Sequence, residues 1–256
     1  MFCLDREGDQ MLYGPLLQKL EALEDLSEAE KQAVISLCND VRSVDRRVHI
    51  ITEGAVPSHT HIILSGWAAR YKLVPDGGRR ITAILLPGDF CDIHTTALAR
   101  MDHSILAITR CQVAFVETAA IDRIACLTPA LTRTLRRSTL VDEAILRQWL
   151  VNAGRRNATD AVAHLLSELH LRMNLVGLAE GGRLQIPLTQ EEIGDSTGLT
   201  PVHVNRVIGQ LRDAGLLTIH GGILYIPDVA ALHRASGFDQ SYLHLRRSNT
   251  DCLQEG

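Results

Sequence analysis

Leu188-Thr189-Gln190-Glu191-Glu192-Ile193-Gly194-Asp195-Ser196-Thr197-Gly198-Leu199-Thr200-Pro201-Val202-His203-Val204-Asn205-Arg206-Val207-Ile208-Gly209-Gln210-Leu211-Arg212-Asp213-Ala214-Gly215-Leu216-Leu217 reads as two short helices joined by a tight turn. Thr189 is a helix N-cap, and Glu192 three residues on completes a capping box, in which side chains and backbone amides exchange hydrogen bonds. Gly198 supplies the permissive backbone that such a turn requires. Thr200 and Pro201 open the second helix, since proline at the first helical position gives up only an amide that would have had no intrahelical partner. Ile193 on the first helix and Val204 and Ile208 on the second are spaced to pack together. Val202, His203, Asn205 and Arg206 then face solvent or a partner, which predicts helix-turn-helix geometry.

Outward from this run, Gly215 ends the second helix, and Leu217 to Ile226 reads as two strands about Gly221-Gly222, a wing. Upstream, Thr128-Pro129 starts a helix that meets neither proline nor glycine before Asn152. Its positions Leu131, Leu135, Ser138, Asp142, Ile145, Trp149 and Asn152 alternate spacings of four and three, an imperfect coiled-coil stripe that suggests a dimer seam. The alternative is one amphipathic helix packed on its own chain, because the central positions are polar. Gly154 to Thr159 interrupts the pattern before a second helix, Ala161 to Met173.

From Arg46 to Glu117 the chain turns to short apolar stretches punctuated by Gly54, Gly66, Gly77, Gly78 and Gly88, the pattern of an antiparallel barrel or roll with Asp76-Gly77-Gly78 as a hairpin tip. Two short helices precede it, the second opened by a Ser27/Glu30 capping box. The expected fold is α+β: an antiparallel β-roll sensor domain with leading helices over residues 1-128, a dimerisation helix over 129-153, a winged helix-turn-helix domain over 154-232, and a short tail over 233-256. In the tail, Tyr242, Leu243 and Leu245 form a small apolar set suited to a short helix.

Composition bounds the function. Of 256 residues 46% are hydrophobic and 22% charged, and 26 Lys plus Arg against 30 Asp plus Glu give a net charge of −4. That excludes a disordered or collagenous chain and argues against a uniformly basic coat for nucleic acid. The only lysines are Lys19, Lys31 and Lys72, so positive charge is mostly arginine, which suits bidentate contact. The acidic amino terminus is unlike a signal peptide, and no apolar run approaches the roughly 20 residues of a membrane span. A soluble cytoplasmic protein with no membrane partner is expected. Cys3, Cys38, Cys91, Cys111, Cys126 and Cys252 form no C-x-x-C pair and no disulfide framework.

In the major groove of duplex DNA, Arg206 can donate two bonds to guanine O6 and N7, and Asn205 can pair with adenine N6 and N7. His203 can reach a base or a phosphate, and Thr189, Gln190 and Thr200 stand at helix starts, where side chains and amides hold phosphates. The expected DNA-binding set is Thr189, Gln190, Thr200, Pro201, Val202, His203, Asn205 and Arg206.

These residues resemble the Crp/Fnr family of bacterial transcription regulators. Glu53-Gly54, Ser65-Gly66, Gly77-Gly78 and Leu86-Pro87-Gly88-Asp89-Phe90 are similar to the glycine signature of that family's cyclic-nucleotide-binding-type roll. The resemblance implies a homodimer on a palindromic operator of double-stranded DNA, with RNA polymerase as a further partner. Three departures stand out. Val202 replaces a glutamate that reads cytosine in the common half-site, so the operator should differ. Cys91-Asp92-Ile93-His94 and Met101-Asp102-His103-Ser104 stand where cyclic-AMP-binding members carry Gly-Glu-Leu and Arg-Ser, and acids there disfavour a phosphate. Only Cys3 precedes Cys38, unlike the cysteine cluster of the iron-sulfur members.

Cys91, Asp92, His94, Met101, Asp102 and His103 are therefore candidates for an effector pocket. No cofactor, no metal and no enzymatic activity are expected. Two alternatives remain: a haem-based gas or redox sensor, since Cys91 and His94 resemble ligands of the family's haem-containing members, and a cupin-like metalloenzyme using His59 and His61, which alternate on one strand, with His94 or His103.

Overall fold

The computed structural model describes residues 6–75, 77–94 and 97–246. Asp76 of the expected hairpin tip, Cys3, Cys252 and the tail beyond Arg246 lie outside the described residues. Helices α1 (Arg6–Glu21) and α2 (Glu28–Ile35) come first, α2 carrying the Ser27/Glu30 capping box read from the sequence. Among the described residues eight short strands follow: β1 (Val41–Val44), β2 (His49–Ile51), β3 (His59–Ser65), β4 (Ala68–Leu73), β5 (Arg79–Leu85), β6 (Phe90–Cys91), β7 (Ser104–Ala107) and β8 (Cys111–Glu117). They make two antiparallel four-stranded sheets, ordered β1-β8-β3-β6 and β2-β7-β4-β5.

Strand alternation divides the roll's residues between two environments. Ile63, Leu85, Ile105 and Val113 face inward and fill the roll. Ile62, Leu64 and Phe90 face outward onto Leu16 and Leu20 of α1 and onto Leu131 and Leu135. The Pro87-Gly88-Asp89 turn seats α1: Gly88 has φ 91°, and a β-carbon there would lie 2.7 Å from the Pro15 carbonyl oxygen. Buried Asp89 next to it bonds Lys19 at 2.5 Å and Arg172 at 2.6 Å.

Helix α3 (Thr118–Ala125) leads into α4 (Pro129–Gly154), α5 (Ala158–Leu175), β9 (Arg183–Gln185), α6 (Gln190–Thr197), α7 (Pro201–Asp213), β10 (Thr218–His220), β11 (Ile223–Tyr225), α8 (Val229–Ser236) and a 3-10 turn over Gln240–Leu243. One apolar core runs from Trp67, Ile81 and Ile84 of the roll through Ile145 and Trp149 of α4 and Leu165 and Leu169 of α5 to Ile193, Val204 and Leu211.

The stripe expected as a dimer seam on α4 is turned into the chain's own core. Leu131, Leu135, Ser138, Ile145, Trp149 and Asn152 are all buried within the protomer, and Asp142 is half-buried. Of its polar members, Asn152 meets His164 of α5 at 3.1 Å. The side of α4 left to solvent carries Leu140, Leu146, Leu150 and Val151 instead.

The end of the described chain doubles back. Tyr242 donates to the buried Glu168 of α5 at 2.8 Å, and the Arg246 amide donates to the Ala22 carbonyl beyond α1 at 2.8 Å while its guanidinium pairs with Asp25.

Candidate nucleic-acid interface

Helix α6 begins at Thr189, whose hydroxyl accepts from the Glu192 amide at 3.2 Å while the Glu192 carboxylate accepts from the Thr189 amide at 2.7 Å. It ends at Gly198 with φ 80°, whose amide donates to the Gly194 carbonyl at 2.7 Å. The sequence reading passed over Gly194. A β-carbon there would lie 2.3 Å from the Leu199 carbonyl oxygen, so the turn can fold back on α6 only over a glycine. Thr200 then caps α7, accepting from the His203 amide at 3.3 Å, with Pro201 in the first turn.

On α7, Val204, Val207 and Leu211 are buried with Ile193, whereas Ile208, expected among them, is only half-buried at the edge of that core. The opposite face presents Pro201, Val202, Asn205 and Arg206 to solvent, with His203 half-buried and Thr189, Gln190 and Thr200 exposed at the two helix starts. Val202 is 82% exposed, an apolar side chain standing out on an otherwise polar face. The helix start's amides and the Arg206 guanidinium make this face a donor surface.

Beside α7, β10 and β11 form the hairpin read as a wing, with Gly221 and Gly222 at φ 56° and 77° in its turn. A third strand, β9, pairs with β11 and was not read from the sequence. It carries Arg183, whose guanidinium lies 5.4 Å from the centre of the exposed Tyr225 ring.

In the roll, the candidate pocket residues part company. Cys91 and Met101 point into the core, and His94 is exposed, so Cys91 and His94 are not brought together as a ligand pair. Burial holds the Cys91 thiol well above its usual range. Asp92 sits in the left-handed region at φ 70°, a conformation that costs a non-glycine residue free energy unless its surroundings hold it. Arg70 of β4 bonds its carboxylate at 2.7 Å, and His103 Nε2 lies 2.9 Å from the other oxygen, while His103 Nδ1 meets Asp102 at 2.7 Å. Burial alone would raise the Asp92 carboxyl and lower the His103 imidazole, but each favours the other's charged form. The net effect is a lowered Asp92 and a raised His103. Arg70 was missed in the sequence because it reaches Asp92 from a strand 22 residues upstream.

His59 and His61 do share one face of β3, with ring centres 6.5 Å apart, but Phe115 packs edge-on against both, and burial lowers His61 to about 4. Among the described residues no group of three or more His, Cys, Asp or Glu is placed to hold a metal ion, and no helix is long and apolar enough to cross a membrane.

Residues 161–235 match the model of the Crp-like helix-turn-helix domain, and residues 41–125 match that of the cyclic nucleotide-binding domain. The nitrogen fixation regulation protein FixK of Bradyrhizobium diazoefficiens is 32% identical over 187 residues, covering 70% of this chain and 77% of the relative. The transcriptional activator protein FnrL of Cereibacter sphaeroides is 24% identical over 216 residues, covering 83% of this chain and 86% of the relative. The solved structure of FixK2 from Bradyrhizobium japonicum superposes with a TM-score of 0.67 at 26% identity, over 76% of this chain and 96% of that one.

Proposed function

Because the chain belongs to the Crp/Fnr family of transcription regulators, whose members bind DNA through their helix-turn-helix and are not enzymes, we propose that it acts as a cytoplasmic homodimer on a palindromic operator. The observation that carries this reading is the face of α7, where Val202, Asn205 and Arg206 stand out from a helix whose other side is locked into the core. Arg206 reads guanine and Asn205 adenine, and Val202 packs against a thymine methyl, an apolar contact open to it where a glutamate would seek cytosine. Thr189, Gln190, Thr200, Pro201 and His203 fix the register on phosphates.

Leu140, Leu146, Leu150 and Val151 on the outer side of α4 supply the surface for a second copy. Its two-fold axis sets the recognition helices one DNA turn apart, about 34 to 36 Å. The unit so formed joins a roll over 1-128, a dimer helix over 129-153, a winged helix over 154-232 and the following tail, and RNA polymerase is its downstream partner. The Arg70–Asp92–His103 cluster occupies the effector position with the chain's own side chains. A phosphate entering there meets Asp92 and Asp102, and the nearby guanidinium is already paired. Whatever signal acts on the roll works by shifting the population of domain arrangements that let both α7 helices meet their half-sites.

Selection from random duplexes tests the reading directly. A two-fold symmetric site is expected, and Arg206→Ala should lose about 1 to 3 kcal/mol at one guanine per half-site and relax the preference there. Unchanged affinity and preference in that variant would refute the assignment.

A further inference from the structure

Strand β5 carries the roll onto the helix-turn-helix pair. Arg79 Nε donates to Asp195 Oδ2 of α6 at 2.7 Å, with the two side chains only 24% and 20% exposed. The Arg79 guanidinium also lies 5.8 Å from the centre of the Tyr71 ring, and the Tyr71 hydroxyl meets His49 at 2.7 Å, so the arginine is braced from within its own sheet.

The next residue, Arg80, is placed differently. Its guanidinium lies against the turn between α6 and α7, so close that a β-carbon at Gly198 would fall 2.9 Å from its Nη1. Arg80 is half-buried, yet among the described residues it has neither a hydrogen-bond partner nor a carboxylate within 4 Å. Burial disfavours its charge, and the field of Asp195 offsets this only in part, because that carboxylate is already bonded to Arg79. Two guanidiniums share one carboxylate here, leaving surplus positive charge at the turn. A partly desolvated cation with no protein partner among the described residues is open to an arriving anion, whose oxygens would accept charge-assisted hydrogen bonds from it.

In a helix-turn-helix the first helix crosses the DNA backbone and the second enters the groove from the turn, so a cation held where the first helix ends stands beside the backbone. We propose that Arg80, a residue of the sensor roll, is a ligand for an operator phosphate, held at the turn by the Arg79–Asp195 bridge. The proposal rests on the reading of α6 and α7 as the DNA-binding pair. It adds a contact from the other domain, so the roll takes part in binding as well as in signalling. Being a phosphate contact, it contributes alike on every sequence.

The test measures affinity of the full chain for the selected operator and for a single-base variant of it across 50 to 200 mM salt. Each phosphate neutralised contributes about 0.9 to the slope of log affinity against log salt. Arg80→Ala should therefore flatten the slope by roughly 1.8 for two half-sites, so that over this range the wild type loses about 12-fold more affinity than the variant does. The change should be the same on both duplexes, Arg80→Lys should restore the slope, and Asp195→Asn, which releases the anchor, should flatten it without adding to Arg80→Ala. A merely structural arginine would lower affinity equally at all salt concentrations, and an unchanged slope in Arg80→Ala overturns the proposal. Arg80→Gln, which keeps most of the side chain's packing, gives the same readout should alanine impair folding. Wild-type protein that binds no duplex at all would overturn the DNA-binding reading along with this one, a result distinct from an unchanged slope.

Discussion

Arg172 is the residue whose loss should be felt most widely, and the cost can be reasoned from its partners. It is nearly buried on α5, donates to Glu168 at 3.1 Å and to Asp89 at 2.6 Å, and its second donor group also reaches the Ile84 carbonyl at 3.1 Å. Arg172→Met keeps the length of the stem and removes the charge. Asp89 would keep Lys19 and the Leu86 amide, but Glu168 would keep only the neutral donors Trp149 and Tyr242 around a fully buried carboxylate. Burial already pushes the Glu168 carboxyl up against the pull of Arg172. Leaving one buried charge without its partner costs about 3 to 5 kcal/mol. For a chain of this size each kcal/mol moves the melting midpoint by about 2 to 4 °C, so a drop of roughly 6 to 20 °C is expected at pH 7. The assay is thermal unfolding followed by circular dichroism. The second variant carries the logic: adding Glu168→Gln removes the stranded charge and should recover at least half the loss, although Glu168→Gln alone destabilises the wild type. A drop of under 2 °C, or a double variant worse than Arg172→Met, would refute the reasoning that an uncompensated charge sets the cost.

Three further outcomes are expected. Gly194→Ala should destabilise the winged helix by about 1 to 3 kcal/mol through overpacking, because its new methyl would meet the Leu199 carbonyl oxygen at 2.3 Å; an unchanged melting midpoint would contradict it. The raised His103 means that its contact with Asp92 stabilises fully below the ordinary histidine pKa of about 6.5 and fades as pH rises through the folded value. The stability gap between wild type and Asp92→Asn, a residue that tolerates the same backbone, should thus be widest near pH 6 and narrow with rising pH to the part that Arg70 sustains, and a gap that widens instead would reverse the assignment. On the proposal that the Arg70–Asp92–His103 cluster stands at the effector position, cyclic AMP should leave operator affinity unchanged, since acids there disfavour a phosphate and Arg70 is already paired; a several-fold gain on titration would refute it.

What could be read from the sequence divides by range. The helix-turn-helix pair was legible because its signals are local: Thr189 with Glu192, Gly198, and Thr200 with Pro201 each act within a few residues. The roll was legible as a class from its short apolar stretches and glycines. The α4 stripe was legible as a stripe and misassigned in direction, since spacing by four and three reports that a face is covered without saying by which chain. Strand β9 escaped because three residues carry too little alternation to register. Arg70 and Arg80 escaped for a different reason. Each acts across an approach of distant segments, Arg70 onto Asp92 and Arg80 onto Gly198, which no local pattern encodes.

The return of the chain from Tyr242 to Arg246 onto α1 has a consequence for the order of assembly. Arg246 bonds the Glu21 carbonyl across 225 positions of sequence. A ribosome adding about 5 to 20 residues per second needs roughly 11 to 45 s to cover that distance. During synthesis the roll can pair its strands while the outer flank of α1, around Ala22 and Asp25, waits for a segment not yet made. The flank of α1 is completed by residues that lie beyond the winged helix in sequence, so its closing is a late event in the birth of the molecule, after the winged helix has been translated.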